Sequence, residues 1–115
     1  MTPVNTVSWN CHGFNVHKQD VKSIVNKYQP VCLGLQETYL LSHTSAELKN
    51  FTIQREEHVE GSRLSGGVAS LTSCHILAKT IDLNTDLQAV AIQIQLNVRL
   101  TVCFLYLLLR EYVGT

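Results

Sequence analysis

The sequence predicts a single α/β domain, an α+β sandwich in which one strand–helix–strand unit is followed by mainly antiparallel strands. Three patterns support this: a helical stripe of apolar residues between two short apolar segments near the start, a series of short apolar runs separated by turn residues, and alternation of large apolar residues with alanine or glutamine over residues 90–96. The chain has 115 residues, of which 45% are hydrophobic. That length fits one domain, which is assigned to residues 1–115.

The first strand is predicted at residues 4–9 and ends at Asn10, where a polar cluster containing glycine begins. A helix is predicted at residues 17–28, with Asn15 as its cap. Pro30 is expected to end this helix, because proline disfavours the helical conformation of the residue before it. The apolar side chains that recur at helical spacing are those of Val21, Ile24, Val25 and Tyr28.

A second apolar strand is predicted at residues 31–35, and it is followed directly by Gln36 and Glu37. A strand–helix–strand crossover is almost always right-handed and makes its two strands parallel. We therefore expect Asn10 and Glu37 to lie at the same carboxyl edge of the sheet. Ligands of open α/β sheets bind at that edge.

The rest of the chain reads as short strands with turns between them, predicted at residues 51–55, 67–72, 76–81, 88–96 and 100–107. Alternation within 88–96 predicts that one face of that strand meets a core. Asn97 and Val98 predict a tight hairpin. The apolar run 102–109 is predicted to be a buried strand, since a membrane helix needs about 20 residues.

Charge and cysteine content limit the function classes. Nine basic and nine acidic side chains give zero net charge, so bulk electrostatics does not favour a nucleic-acid partner. The first residues lack a signal-peptide pattern, which predicts a protein that is not secreted. The four cysteines lack close spacing, which disfavours zinc and disulfides and predicts free thiols packed as small apolar groups in a reducing compartment: Cys11, Cys32, Cys74 and Cys103.

Asn10 and Glu37 are the candidate site residues. An amide and a carboxylate oxygen are ligands of the kind that hold Mg²⁺, with water and substrate phosphate completing the shell. The alternative is that Asn10 caps a turn and Glu37 is a solvated acid. The glycine-rich segment 61–67 is not a Walker loop and predicts a turn, in which Arg63 is a candidate phosphate contact.

Four strings carry a family resemblance: Trp-Asn-x-x-Gly at 9–13, Gln-Glu-Thr at 36–38, Ser-Gly-Gly at 65–67 and Leu-Tyr at 105–106. In this order they resemble the endonuclease/exonuclease/phosphatase superfamily, which is DNase I-like, and are most similar to the endonuclease domains of non-LTR retrotransposons. The resemblance covers about residues 4–106. It corresponds to roughly the amino-terminal half of the family domain.

The resemblance implies part of a four-layer fold, with two sheets packed face to face, and hydrolysis of DNA phosphodiesters with Mg²⁺, or alternatively Mn²⁺. It implies that Glu37 is the Mg²⁺ carboxylate, with Gln36 as its supporting neighbour. It also implies that Asn10 is a metal and phosphate-site amide and that Tyr106 faces the scissile phosphate. DNA is the implied partner, the location is intracellular and nuclear, and full-length relatives are fused to a reverse transcriptase.

The chain also departs from the family pattern. Its 115 residues contain neither the Gly-Asp-x-Asn string nor the Asp-His pair that the family places after the tyrosine strand. Asp82 and Asn84 imitate part of the first string but precede Tyr106, so they predict an ordinary turn. His12 stands where apurinic-site relatives can carry a second acid. We expect a truncated domain without turnover of its own; a non-catalytic binding remnant, a phosphatase and an apurinic-site endonuclease remain alternatives.

Overall fold

A computed structural model describes residues 5–40, 45–55, 67–83 and 88–106 of the chain. Its strands and helix confirm the predicted α+β class, and their ends lie within two residues of the predicted ones. In chain order they are β1 (Thr6–Asn10), α1 (Lys18–Tyr28), β2 (Cys32–Gln36), β3 (Phe51–Arg55), β4 (Val68–Ser73), β5 (Leu77–Ile81), β6 (Gln88–Gln95) and β7 (Arg99–Tyr106).

The strands form two sheets. The first sheet has four strands in the order β1-β2-β4-β3, and the second has three in the order β5-β6-β7. β1 and β2 are parallel, as the strand–helix–strand unit predicts, and every other pairing is antiparallel. Asn10 lies opposite Gln36 in the β1–β2 register. The predicted hairpin is confirmed between β6 and β7, where the Leu96 N–H donates to the Val98 carbonyl at 3.0 Å.

The first sheet has a different partner on each face. One face packs against α1 and the loop before it, through a cluster that includes Phe14, Val21, Leu33, Leu35 and Leu71. The other face packs against the second sheet, through Cys32, Val68, Val90, Ile92, Ile94 and Phe104. At Gly34 the Phe104 ring occupies the space that a β-carbon would need, so the close approach of the two sheets there requires glycine.

The helix begins differently from the prediction. Its N-cap is His17, which makes no capping bond through its side chain, so the prediction of Asn15 as the cap is wrong. The Asn15 amide instead donates to the Ser45 carbonyl at 3.2 Å. The predicted end is confirmed, because Gln29 is left-handed and its N–H donates to the Val25 carbonyl. Tyr28, however, is 46% exposed and does not continue the buried stripe.

The expectation that residues 102–109 form a buried strand is wrong for part of β7. Phe104 is buried, but Cys103 is exposed and Leu105 is 47% exposed. The reason is that β7 alternates its side chains between the face that packs against the first sheet, where Phe104 lies, and the outer face of the second sheet. Residues 107–109 lie outside the described part of the chain.

The expectation that every cysteine is packed in the core is also wrong. Cys11 and Cys32 are buried, whereas Cys74 and Cys103 are exposed. Cys74 lies in the turn after β4, and Cys103 lies on the outer face of β7. Burial raises the pKa of the Cys32 thiol from 9.0 to about 11, although hydrogen bonds with Thr72 and Ser70 oppose the rise. The Cys32 thiol is therefore neutral at physiological pH.

Thiol chemistry tests this part of the fold. A maleimide at neutral pH is expected to label Cys74 and Cys103 in the folded chain, and to label Cys11 and Cys32 only after unfolding in urea, because burial blocks access and disfavours the thiolate. Mass spectrometry of labelled peptides identifies the sites. Rapid labelling of Cys32 in the folded chain would contradict the packing of the two sheets.

The raised pKa of Cys32 also predicts a pH dependence of stability. The unfolded chain loses this proton near pH 9.0, whereas the folded chain keeps it to about pH 11. The contribution of this group to the free energy of unfolding is thus complete below pH 9.0 and is lost as pH rises through about 11. Urea unfolding across this range should show a steeper loss for the natural chain than for Cys32→Ala; parallel curves would contradict the prediction.

Candidate functional site

The carboxyl edge of the first sheet brings together the two main residues predicted from the sequence. Asn10 ends β1, and Glu37 follows Gln36 at the end of the parallel strand β2. Neighbouring strands lie about 4.8 Å apart, so the two positions are adjacent across the edge. Three main-chain hydrogen bonds continue the pairing past the strands: from Cys11 N–H to Gln36 O at 3.0 Å, Gly13 N–H to Glu37 O at 2.7 Å, and Phe14 N–H to Thr38 O at 2.9 Å.

Unusual backbone conformations concentrate at this edge. Five of the seven residues with positive φ in the described part of the chain lie here: His12, Gly13, Glu37, Tyr39 and Gly67. Three of them carry side chains, for which a left-handed conformation costs roughly 1–2 kcal/mol each. Such strain persists where the surroundings over-determine the backbone, and it is concentrated at binding sites. The main-chain bonds between the two loops provide that constraint.

The carboxylate of Glu37 is turned towards His12. Its Oε2 atom is buried from solvent and lies 2.7 Å from Nδ1 of His12. The Glu37 side chain is only 18% exposed, whereas that of His12 is 66% exposed. An ion pair with so exposed a partner contributes about 0–1 kcal/mol, which is less than the strain at the two positions. This pair therefore does not by itself account for the backbone of both residues.

Cys11 lies on the inner side of this loop, where it is buried. Its thiol donates to the Glu37 carbonyl at 3.7 Å. Burial raises the pKa of Cys11, and the negative charge of Glu37 raises it further, although backbone hydrogen bonds oppose the effect. In the structure the Cys11 side chain thus packs beneath the loop and forms a hydrogen bond with the main chain of Glu37.

Gln36 and Asn10 occupy the surface of the same edge. The Gln36 amide donates to the Ser8 hydroxyl at 2.7 Å, so its observed bond joins β2 to β1. Side chains alternate along a strand, which puts Asn10 on the same face as Ser8, and Asn10 is exposed. The Gln36 side chain thus links β1, which ends at Asn10, to β2, which Glu37 follows.

A series of hydrogen bonds and strand pairs leads from Glu37 to the end of β7. The N–H of Thr38 donates to the Gly67 carbonyl at 3.4 Å, and the N–H of Gly67 donates to Oε1 of Gln88 at 2.6 Å. Gln88 in turn pairs with Tyr106 in the β6–β7 register. Strand β7, whose last residue is Tyr106, therefore ends near the candidate edge. The side chain of Tyr106 and the whole of Arg63 lie outside the described part of the structure.

Sequence reasoning missed two of these partners. It placed His12 near the site but assigned it no partner, and the pairing with Glu37 depends on left-handed backbone at both residues. It gave no role to Gln88, which joins the second sheet to Gly67. The role of His12 could have been predicted, because this histidine lies in the polar cluster directly after the first strand. The role of Gln88 could not, because nothing in the local sequence distinguishes it from the other glutamines of its strand.

The donor atoms at the edge fit a cation of the Mg²⁺ type. In the described ranges, no three His, Cys, Asp or Glu side chains gather into a metal-binding group. An all-protein cage is therefore not formed by these residues. One carboxylate and one exposed amide at an open edge suit Mg²⁺, which keeps several waters and is bound through few protein ligands plus phosphate oxygens.

The candidate edge is distinct from the described cavity. A cavity of about 540 Å³ lies beside α1 and β3, where Lys18, Lys22, Leu48 and Phe51 contribute to its lining. Neither Asn10 nor Glu37 lines it. The candidate edge and this cavity are thus separate features of the described structure.

Comparison of the chain with models of known protein families and with curated proteins gives no match in either case. Among the residues that the structure describes, no helix combines the length and the apolar character needed to cross a membrane.

Proposed function

We propose that this edge is the cation-binding half of the active site of a Mg²⁺-dependent DNA endonuclease of the non-LTR retrotransposon type, with Mn²⁺ as an alternative cofactor. One observation carries the proposal. Asn10 and Glu37, each within a family-like string, follow neighbouring parallel strands at one sheet edge. Three main-chain hydrogen bonds join the loops that contain them.

Each residue has a distinct role in the proposal. Glu37 holds the cation, Asn10 orients a metal-bound or phosphate oxygen, and Gln36 keeps β1 and β2 in register through Ser8. Tyr106 and Arg63 contact the phosphate backbone. The bound cation would neutralise charge that develops on the phosphoryl oxygens. DNA is the proposed partner, the implied location is nuclear, and the full-length protein would also carry a reverse transcriptase.

A second candidate is a binding module without turnover. The sequence contains neither family string that supplies the base for the attacking water. A general base typically contributes about 10²–10⁴-fold to the rate. We propose that the 115-residue chain by itself binds divalent cations and does not cut DNA. A phosphatase or an apurinic-site endonuclease would share the same edge, and substrate choice distinguishes them.

The test measures binding and turnover separately. Mn²⁺ electron paramagnetic resonance should show one bound ion, with weaker binding in Asn10→Ala and unchanged binding in Thr6→Ala, an exposed position on the same face of β1. Supercoiled plasmid should stay supercoiled when the chain and Mg²⁺ are added. Absence of Mn²⁺ binding would refute the cation site. Open circles that disappear with Glu37→Gln would refute the module without turnover, and hydrolysis confined to a phosphate monoester or an apurinic site would identify the corresponding alternative.

A further inference from the structure

His12 has no role in the proposed function, yet its imidazole meets the Glu37 carboxylate. The separation of Nδ1 from Oε2 is 2.7 Å. Metal–nitrogen and metal–oxygen bonds are each about 2.0–2.2 Å, so two such ligands on one ion are separated by roughly 2.8–3.1 Å at octahedral angles and roughly 3.3–3.6 Å at tetrahedral angles. At octahedral angles, the two atoms of the observed pair need to separate by only about 0.1–0.4 Å to hold an ion between them.

We propose that His12 is a nitrogen ligand beside Glu37, and that this edge, besides taking Mg²⁺, binds a transition-metal ion such as Mn²⁺, Co²⁺ or Zn²⁺ more tightly than Mg²⁺. The inference rests on the proposed cation site and names its metal class. Imidazole nitrogen suits transition-metal ions, whereas Mg²⁺ selects oxygen ligands and gains little from a nitrogen donor.

The backbone holds the two ligands in place before an ion arrives. His12 lies between Cys11 and Gly13, whose N–H groups donate to the carbonyls of Gln36 and Glu37. Both His12 and Glu37 are left-handed, with φ of 49° and 54°. Their relative position is thus set by main-chain bonds, so ion binding requires little reorganisation of the loops.

Exposure leaves room for the rest of the coordination shell. The His12 side chain is 66% exposed and Asn10 is exposed at the end of the adjacent strand. On the exposed side of His12 and Asn10, further positions of the shell can be filled from solvent. Water or a phosphate oxygen would occupy them, which is the arrangement of a site that binds substrate through its metal.

The test compares metals across matched variants of the full 115-residue chain. His12→Asn tolerates the left-handed backbone and replaces nitrogen with an oxygen donor. It should lower the Co²⁺ and Zn²⁺ affinities by at least about tenfold, while Mg²⁺ affinity stays within about threefold. His75→Asn, an exposed position in the turn after β4, should change neither. Co²⁺ absorption and the Co²⁺-shifted ring protons of His12 give readouts that do not depend on activity.

The outcomes separate this inference from the one on which it rests. Unchanged Co²⁺ affinity in His12→Asn, or an equal fall for Co²⁺ and Mg²⁺, would overturn the assignment of His12 as a ligand. Glu37→Gln tests the proposed cation site itself. Loss of both Mg²⁺ and Co²⁺ binding in this variant supports that site, whatever the result for His12→Asn. Mg²⁺ binding that survives Glu37→Gln would refute that site.

Discussion

Glu37→Gln is expected to lower the affinity of the chain for Mg²⁺ and Mn²⁺ by on the order of a hundredfold. Glutamine keeps the size of the side chain and one oxygen but removes the negative charge, and charge count governs the affinity of oxygen sites for hard cations. Asn10, the other proposed oxygen ligand, is uncharged and cannot compensate. Isothermal titration calorimetry with each metal measures the change.

The fold should survive this substitution. Glutamine at this position removes the ion pair between Glu37 and a largely exposed His12, and such a pair contributes about 0–1 kcal/mol to the free energy of unfolding. Glu47→Gln is the matched control, because Glu47 is an exposed acid that lines the cavity beside α1. Its metal affinity should equal that of the natural chain. Equal affinities for all three chains would contradict a role for Glu37.

Gly34→Ala is expected to lower the free energy of unfolding by about 3 kcal/mol, near the upper end for overpacking of a core. The added methyl group would occupy the space of the Phe104 ring. Neither side moves easily, because Gly34 lies in β2, which is paired on both sides with β1 and β4, and Phe104 is held in the core between the sheets. Urea unfolding followed by tryptophan fluorescence measures the destabilisation.

A double-mutant cycle distinguishes the clash from a general effect on strand β2. Phe104→Leu makes room at the same place, so the double variant should be less destabilised than the sum of the two single variants. Thr6→Ala, an exposed position on the edge strand β1 that pairs with Cys32 of β2, should change stability by no more than about 0.5 kcal/mol. Additive effects of Gly34→Ala and Phe104→Leu would show that the two residues do not compete for space.

Local patterns sufficed to predict most of the secondary structure. The helical stripe and the proline after it located α1, while alternation and turn residues located β6 and its hairpin to β7. These patterns reflect backbone geometry that repeats every few residues. The shared edge of Asn10 and Glu37 was also predictable, because the handedness of a crossover fixes the direction of its second strand.

The candidate site was predictable only in part. Glu37 and Asn10 were located from their strings, but the pairing of Glu37 with His12 depends on how two loops meet beyond their strands. The cap of α1 was missed for a similar reason: Asn15 forms its bond with Ser45, which is distant in the chain. A partner brought in by tertiary structure leaves no local signal.

By itself the sequence determined which segments become strands or helix, and which edge carries the amide and the carboxylate. Tertiary structure decided which faces are covered: it buried Cys32 and Phe104, left Cys103 and Leu105 exposed, and required glycine at position 34. The physical reason is the distance along the chain over which each effect acts. Strand and helix periodicity arise from neighbours in the chain, whereas burial is set by the element that packs on each face, and that element comes from a distant part of the sequence.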